Sequence, residues 1–157
     1  RGGQPYHPVE RKTMSVKENQ RNVPQTPTNK MLDCLWDARN LALYTIKICS
    51  NENNFPSQYY KTMTSDLIQK SKEIYRLGKR ANAVYVNSNQ RWNERSRYQR
   101  EAIFLCIDLL SDIDIAKTLF GIRGKRVKYW CSQVIEVKKK YIAWHNADKE
   151  RYKEYQD

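Results

Sequence analysis

Residues 125–144 read KRVKYWCSQVIEVKKKYIAW, and the apolar residues in this stretch recur at alternating steps of three and four. They are Val127, Trp130, Val134, Val137, Tyr141 and Trp144. Such steps place side chains on one face of an α-helix, because the helix has 3.6 residues per turn. The segment is therefore predicted to be an amphipathic helix with one buried stripe and a strongly basic remainder.

Three earlier segments repeat the pattern, over about residues 29–50, 57–86 and 93–120. The last helix is predicted to span about residues 125–145, followed by a short C-terminal helical extension. Thr28 or Asn29 is the expected cap of the first helix, and Gly121 and Gly124 bracket the turn before the last. Four long helices with short polar connections predict an all-α, antiparallel up-down four-helix bundle.

The N-terminal part of the chain differs from the helical segments. Residues 1–28 contain two glycines and four prolines without an apolar period, and are expected to form a flexible tail before a bundle domain at 29–157. Met14 is a candidate native start, which would make residues 1–13 upstream or vector-derived sequence.

Composition excludes several classes of protein. No apolar run approaches the roughly 20 residues that cross a bilayer, and no secretory signal precedes the helices, so a cytoplasmic protein is expected. The four cysteines have no short metal-binding spacing and are expected to be free thiols of the core. No Glu-x-x-His pair or nucleophile–base motif occurs, so we expect no metal, no cofactor and no enzymatic activity.

The charge balance points to a polyanionic partner. The chain has 29 Lys+Arg against 17 Asp+Glu, a formal net charge of +12, and residues 31–157 alone carry 23 against 15. Two basic clusters are predicted to contact nucleic acid: Lys72, Arg76, Lys79, Arg80, Arg91 and Arg95, and then Arg123, Lys125, Arg126 and Lys128. Trp92, placed in a loop, is the expected base-stacking aromatic. The alternative is a merely solvated basic surface.

The first and third helices are more apolar than a monomeric bundle requires. Residues 41–49 read LALYTIKIC and residues 102–110 read AIFLCIDLL, so apolar side chains fall nearly all round each helix. We predict self-association through Leu43, Ile48, Phe104, Ile107 and Ile115. The alternative is that these side chains broaden the internal core.

An ordered set of residues in the last three helices resembles a known family. It comprises Ala81-Asn82; Arg95, Gln99, Ala102, Ile103, Cys106, Leu109-Leu110, Ile113 and Ile115-Ala116; and Lys125-Arg126-Val127, Trp130, Val134, Val137, Ala143-Trp144, Asp148 and Arg151. Over about residues 29–152 the chain resembles the accessory variability determinant (Avd) family of bacterial and phage diversity-generating retroelements. That family is close to the four-helix-bundle proteins encoded in ribosomal-RNA intervening sequences.

The resemblance implies a basic protomer that assembles into a pentameric barrel and binds the retroelement's reverse transcriptase, its template RNA and cDNA. Such a protein would support adenine-mutagenic cDNA synthesis during mutagenic retrohoming without catalysing it. Trp130 and Trp144 are interpreted as packing residues, and Asp148 as a cap or salt-bridge partner. The alternatives are an RNA-binding protein of the intervening-sequence type, a purely structural oligomer, and an unrecognised enzyme.

Overall fold

The computed structural model describes residues 31–157, which fold into four α-helices packed against one another, with no β-strand in this range. The helices are α1 (Asp33–Cys49), α2 (Ser65–Ala83), α3 (Asn89–Phe120) and α4 (Gly124–Arg151). Each packs against its neighbours in chain order and α4 closes against α1, so α1 and α3 lie diagonally opposite. The prediction of an all-helical four-helix fold is confirmed. The predicted tail and the start at Met14 lie outside the described residues. The prediction that the first helix begins near residue 29 with Thr28 or Asn29 as its cap is wrong, because Leu32 has an extended backbone (φ −60°, ψ 149°) and is the N-cap of a helix that begins at Asp33.

The second, third and fourth helices have other bounds than predicted. The second helix is preceded by a 3₁₀ turn at Ser57–Tyr59 and a π-helical turn at Tyr60–Thr64, and it ends three residues early. The third helix begins at Asn89 because the Ser88 hydroxyl accepts a hydrogen bond from the Arg91 amide at 3.2 Å. The fourth helix continues to Arg151 and is followed by a 3₁₀ turn at Lys153–Tyr155.

The predicted apolar stripe of α4 forms the centre of the core. Trp130, Val134 and Tyr141 are completely buried, and the Trp130 indole donates to the Thr45 hydroxyl at 3.0 Å. This contact satisfies the indole N–H, which would be costly to bury without a partner. The interpretation of Trp130 as a packing residue is confirmed.

Two clusters of residues mark the ends of the bundle. At the α3–α4 end, Gly121 adopts the left-handed conformation (φ 64°) that terminates α3, as the sequence predicts. Phe55, from the α1–α2 connection, packs there against Phe120 and Trp130 at ring separations of 5.3 and 6.1 Å. At the opposite α2–α3 end, a small second core joins Val86 and Tyr152. The bundle therefore places residues near 90 and residues near 123 at opposite ends.

None of the helices within residues 31–157 combines the length and the apolar composition needed to cross a membrane.

Candidate nucleic-acid interface

The basic cluster at the α2–α3 end is largely neutralised by ion pairs. Nine lysines and arginines lie between residues 70 and 100, and six of them contact a carboxylate. Arg76 and Arg80 share Glu73, Arg91 contacts Glu94 and Arg97 contacts Glu101, at 3.0–3.7 Å. Lys72, Lys79 and Arg100 have no carboxylate partner within residues 31–157. Of the residues predicted here, Arg76, Lys79, Arg80 and Arg91 are exposed and Lys72 is half-buried.

Arg95 does not belong to this surface, contrary to the prediction. Its side chain is buried, and its Nε donates to Asp148 at 2.7 Å while a terminal nitrogen donates to the Ala81 carbonyl at 3.2 Å. Gln99 donates to the same Asp148 oxygen at 2.7 Å, and the Arg95 guanidinium lies 5.2 Å from the Trp144 ring centre. The spacing of the basic residues in the sequence could not reveal this burial, because it depends on helix packing. Arg95 lies on the face of α3 that packs against α4 in the interior of the bundle. The interpretation of Asp148 as a salt-bridge partner is confirmed.

Trp92 is not available for base stacking either. It lies in the first turn of α3, is buried, and stacks against the His145 ring at 6.0 Å and 5°. His145 is also within hydrogen-bond distance of the Ser96 hydroxyl, at 2.9 Å. Burial, together with the nearby charges of Lys149 and Arg100, lowers the pKa of His145 below its usual value. These contacts hold α3 against α4 at the α2–α3 end.

The basic cluster at the α3–α4 end is exposed and has no carboxylate partner among residues 31–157. Arg123, Lys125, Arg126 and Lys128 are all exposed, and none forms an ion pair within the part of the chain that the structure describes. From Asp114 to Glu136 the intervening chain contains five cations and no carboxylate. Within residues 31–157 the charge of this cluster is therefore uncompensated, and this end of the bundle attracts anions.

An exposed tyrosine, which the sequence interpretation missed, stands within this cluster. Tyr129 on α4 is 55% exposed and packs edge-to-face on Tyr44 of α1, with ring centres 5.2 Å apart and planes at 78°. Gln133 donates to the Tyr129 hydroxyl at 3.0 Å. Lys47, one turn beyond Tyr44, adds an exposed cation from α1. The sequence contains little indication that Tyr129 belongs to a site, because Tyr44 and Lys47 are more than 80 residues from Tyr129 in the sequence.

The predicted interface residues separate into one buried and four exposed side chains. Ile48 lies in the core, because helical geometry places it on the same face as Leu41 and Thr45, so it does not contribute to an exposed surface. Leu43 on α1 and Phe104, Ile107 and Ile115 on α3 are exposed, with Phe104 at 63%. Further exposed apolar residues that were not predicted are Ile46, Leu119, Ile135 and Ile142.

The exposed apolar residues of α3 lie on one outer face of the helix, where the exposed Asp108 and Ser111 interrupt them. Phe104, Ile107, Ile115 and Leu119 fall within about a third of the helix circumference, opposite the core-facing Cys106, Leu109 and Ile113. Leu43 and Ile46 point outward from α1, on the other side of the bundle. The two apolar surfaces therefore face away from each other.

The thiols and carboxylates form no recognisable chemical site. Burial raises the pKa of Cys34, Cys49 and Cys106 to about 12, which leaves these thiols protonated and unreactive near neutrality. Cys131 is half-buried and unpaired as well. No group of three or more His, Cys, Asp or Glu within residues 31–157 is placed to hold a metal ion.

One acidic residue of α3 forms an ion pair with a neighbouring helix: Asp112 accepts a hydrogen bond from Lys70 of α2 at 2.5 Å. On the other side of the bundle Lys140 of α4 contacts both Asp33 and Asp37 of α1. These lysines connect adjacent helices and are not part of the free basic surface.

Comparisons with protein-family models, with curated proteins and with solved structures found no significant match to this chain.

Proposed function

We propose that this protein is a non-catalytic, oligomeric RNA-binding accessory protein that acts with a reverse transcriptase in the cytoplasm. In this role it supports adenine-mutagenic cDNA synthesis from a structured template RNA, as the resemblance to the Avd family implies. The polymerase supplies all of the chemistry. The observation that carries the RNA-binding part is the uncompensated basic cluster at the α3–α4 end.

Free cations favour RNA binding for a simple energetic reason. A lysine or arginine that already contacts a carboxylate must give up that interaction, or bring its negative charge close to the phosphate. Arg123, Lys125, Arg126 and Lys128 have no such partner within residues 31–157, so each can neutralise a phosphate and release a condensed counterion. These contacts give affinity without reading the base sequence.

The exposed apolar surfaces support assembly into a ring. The outer surfaces of α1 and α3 face in opposite directions, so a contact between the α1 surface of one copy and the α3 surface of the next joins unlike surfaces. Such head-to-tail contacts generate closed rings when the rotation between copies closes. A pentameric barrel, as the resemblance implies, is the arrangement we propose.

The RNA-binding proposal is tested by neutralising each basic end separately. One variant changes Arg123, Lys125, Arg126 and Lys128 to Gln, and its matched control changes Arg76, Arg80, Arg91 and Arg97 to Gln. Both lose four charges. We expect the first variant to reduce the slope of log affinity against log salt by about 2–3, and the control to change it by less than 1. Helicity is followed by circular dichroism. The opposite ranking, or no RNA binding at low salt, would contradict the proposal.

The same basic surface also serves the alternative function, binding of ribosomal RNA by a protein of the intervening-sequence type. The two functions differ in their dependence on a polymerase. Co-purification with a reverse transcriptase encoded nearby supports the retroelement function. Retention on ribosomal RNA alone, with a gene located inside a ribosomal-RNA gene, supports the alternative.

A further inference from the structure

We propose that the α3–α4 end binds an unpaired segment of RNA, with Tyr129 as the platform on which a base stacks. The inference rests on the proposed RNA-binding function and adds the class of RNA that this site takes. The surface is defined by Tyr129 and Tyr44 together with the exposed cations Lys47, Arg123, Lys125, Arg126 and Lys128.

The orientation of the Tyr129 ring is fixed before any ligand binds. Tyr44 packs edge-to-face against the ring at 5.2 Å, and Gln133 donates to its hydroxyl at 3.0 Å. The side chain nevertheless remains 55% exposed. A ring that is held on one side and open on the other loses little conformational entropy when a base stacks on it. This separates Tyr129 from exposed tyrosines with no comparable contacts.

The neighbouring cations are placed to follow a phosphate backbone past the ring. Arg126 and Lys125 lie one turn before Tyr129 on α4, and Lys47 lies one turn after Tyr44 on α1. Arg126 is close enough to Tyr44 to influence the pKa of its hydroxyl. The nearest acids in sequence, Asp114, Glu136 and Glu52, are exposed and pair with none of these cations.

An unpaired strand fits this arrangement better than a duplex. An aromatic ring among cations is the combination that single-strand-binding surfaces use, since the cations hold the backbone and the ring holds the base. A-form duplex presents its bases stacked and paired, and it leaves no free base face for Tyr129. A protein partner would need carboxylates opposite the cations.

Stacking is tested with two single strands of equal charge and with a duplex. Binding of oligouridine, of the same strand with abasic sites, and of a duplex is measured by fluorescence anisotropy at fixed salt. We expect Tyr129→Ala to weaken oligouridine binding by about 5- to 150-fold, because loss of one stacked base costs roughly 1–3 kcal/mol. Abasic and duplex affinities, and the salt slope, should stay unchanged. Tyr129→Phe should retain most of the affinity.

The control is Tyr85→Ala, which removes a tyrosine of similar exposure, 47%, from the α2–α3 connection. It should leave oligouridine affinity unchanged. The inference is overturned if the Tyr129→Ala variant binds oligouridine as the unaltered protein does, or if it loses only reverse transcriptase binding, which would make this surface a protein interface. If the unaltered protein binds none of the three RNAs at low salt, the proposed function itself fails.

Discussion

Arg95 shows how far the environment of a residue can depart from its residue type. An arginine in a basic stretch is normally a surface cation, yet this one lies at 5% exposure and contacts Asp148, the Ala81 carbonyl and the Trp144 ring. Asp148 in turn accepts from Gln99. The group joins α3 to the end of α4 and to the end of α2. Its role is therefore to hold the α2–α3 end of the bundle together.

Removing the Arg95 guanidinium should strongly destabilise the protein. Arg95→Met leaves Asp148 buried without its counter-charge, and we expect the free energy of unfolding to fall by about 3–5 kcal/mol. The control is Arg97→Met, on the same helix, where an exposed pair with Glu101 is worth about 0–1 kcal/mol. Urea unfolding measures both. Equal losses from the two variants would contradict a buried structural role for Arg95.

Gly78 is required by close packing between helices. A Cβ atom at this position of α2 would overlap the Tyr141 hydroxyl and a methyl group of Leu35, both of which are in the core. Gly78→Ala should therefore cost about 1–3 kcal/mol of stability, although alanine is the better helix former. Gly124→Ala is the control, because a Cβ there meets nothing within 4 Å. Thermal unfolding that ranks Gly124→Ala as the less stable variant would contradict this packing.

At the scale of the helices, the fold was predictable because apolar periodicity reports the buried face directly. The stripe of α4 occupies the core as predicted, and Gly121 ends α3. The start of α2 was not predictable in the same way. Tyr60 has an apolar ring in helical register with Met63 and Leu67, but a π-helical turn inserts there and leaves it exposed.

The candidate site was only partly predictable, for a different physical reason. The four cations at the α3–α4 end all lie within residues 123–128, so the sequence alone identifies them as one cluster. Which cations are neutralised depends on contacts between side chains, as the pairs formed by Arg91 and Arg97 show. Tyr129 becomes a candidate only when Tyr44 is brought beside it by the packing of α1 on α4.

The contact between α3 and α4 through His145 should make stability depend on pH. The folded-state pKa of His145 lies below the unfolded value of about 6.5, so the unfolded chain binds the proton more readily. Its stabilising contribution is complete above about pH 6.5 and is lost as pH falls toward the folded-state pKa.

The measurement compares urea unfolding of the unaltered protein and of His145→Gln at about pH 7.5 and about pH 5.5. The unaltered protein should lose more free energy of unfolding over this range than the variant, because glutamine does not titrate. Carboxylates contribute equally to both proteins. If the free energy of unfolding changes equally with pH in both proteins, the titration of His145 does not contribute to stability and the prediction is wrong.

For the whole molecule, the proposed self-association depends on the exposed apolar surface of α3. Phe104 and Ile115 are among the most exposed apolar side chains within residues 31–157. The double variant Phe104→Glu/Ile115→Glu should reduce the native mass to that of a monomer while retaining helicity, because burying two carboxylates in an apolar contact is costly. Tyr60→Glu, an exposed aromatic outside these two surfaces, should leave the mass unchanged. An unchanged mass in the double variant would exclude this surface from the assembly.

The central claim, an oligomeric accessory protein that carries RNA and a polymerase, is tested most directly by the mass of the native particle. Light scattering at low micromolar concentration is measured for the protein alone and after addition of the proposed reverse transcriptase partner with its template RNA. We predict a single species of about five times 18.8 kDa for the protein alone, and a heavier complex that contains all three components. A monomer of 18.8 kDa that gains no mass from either component would contradict the account.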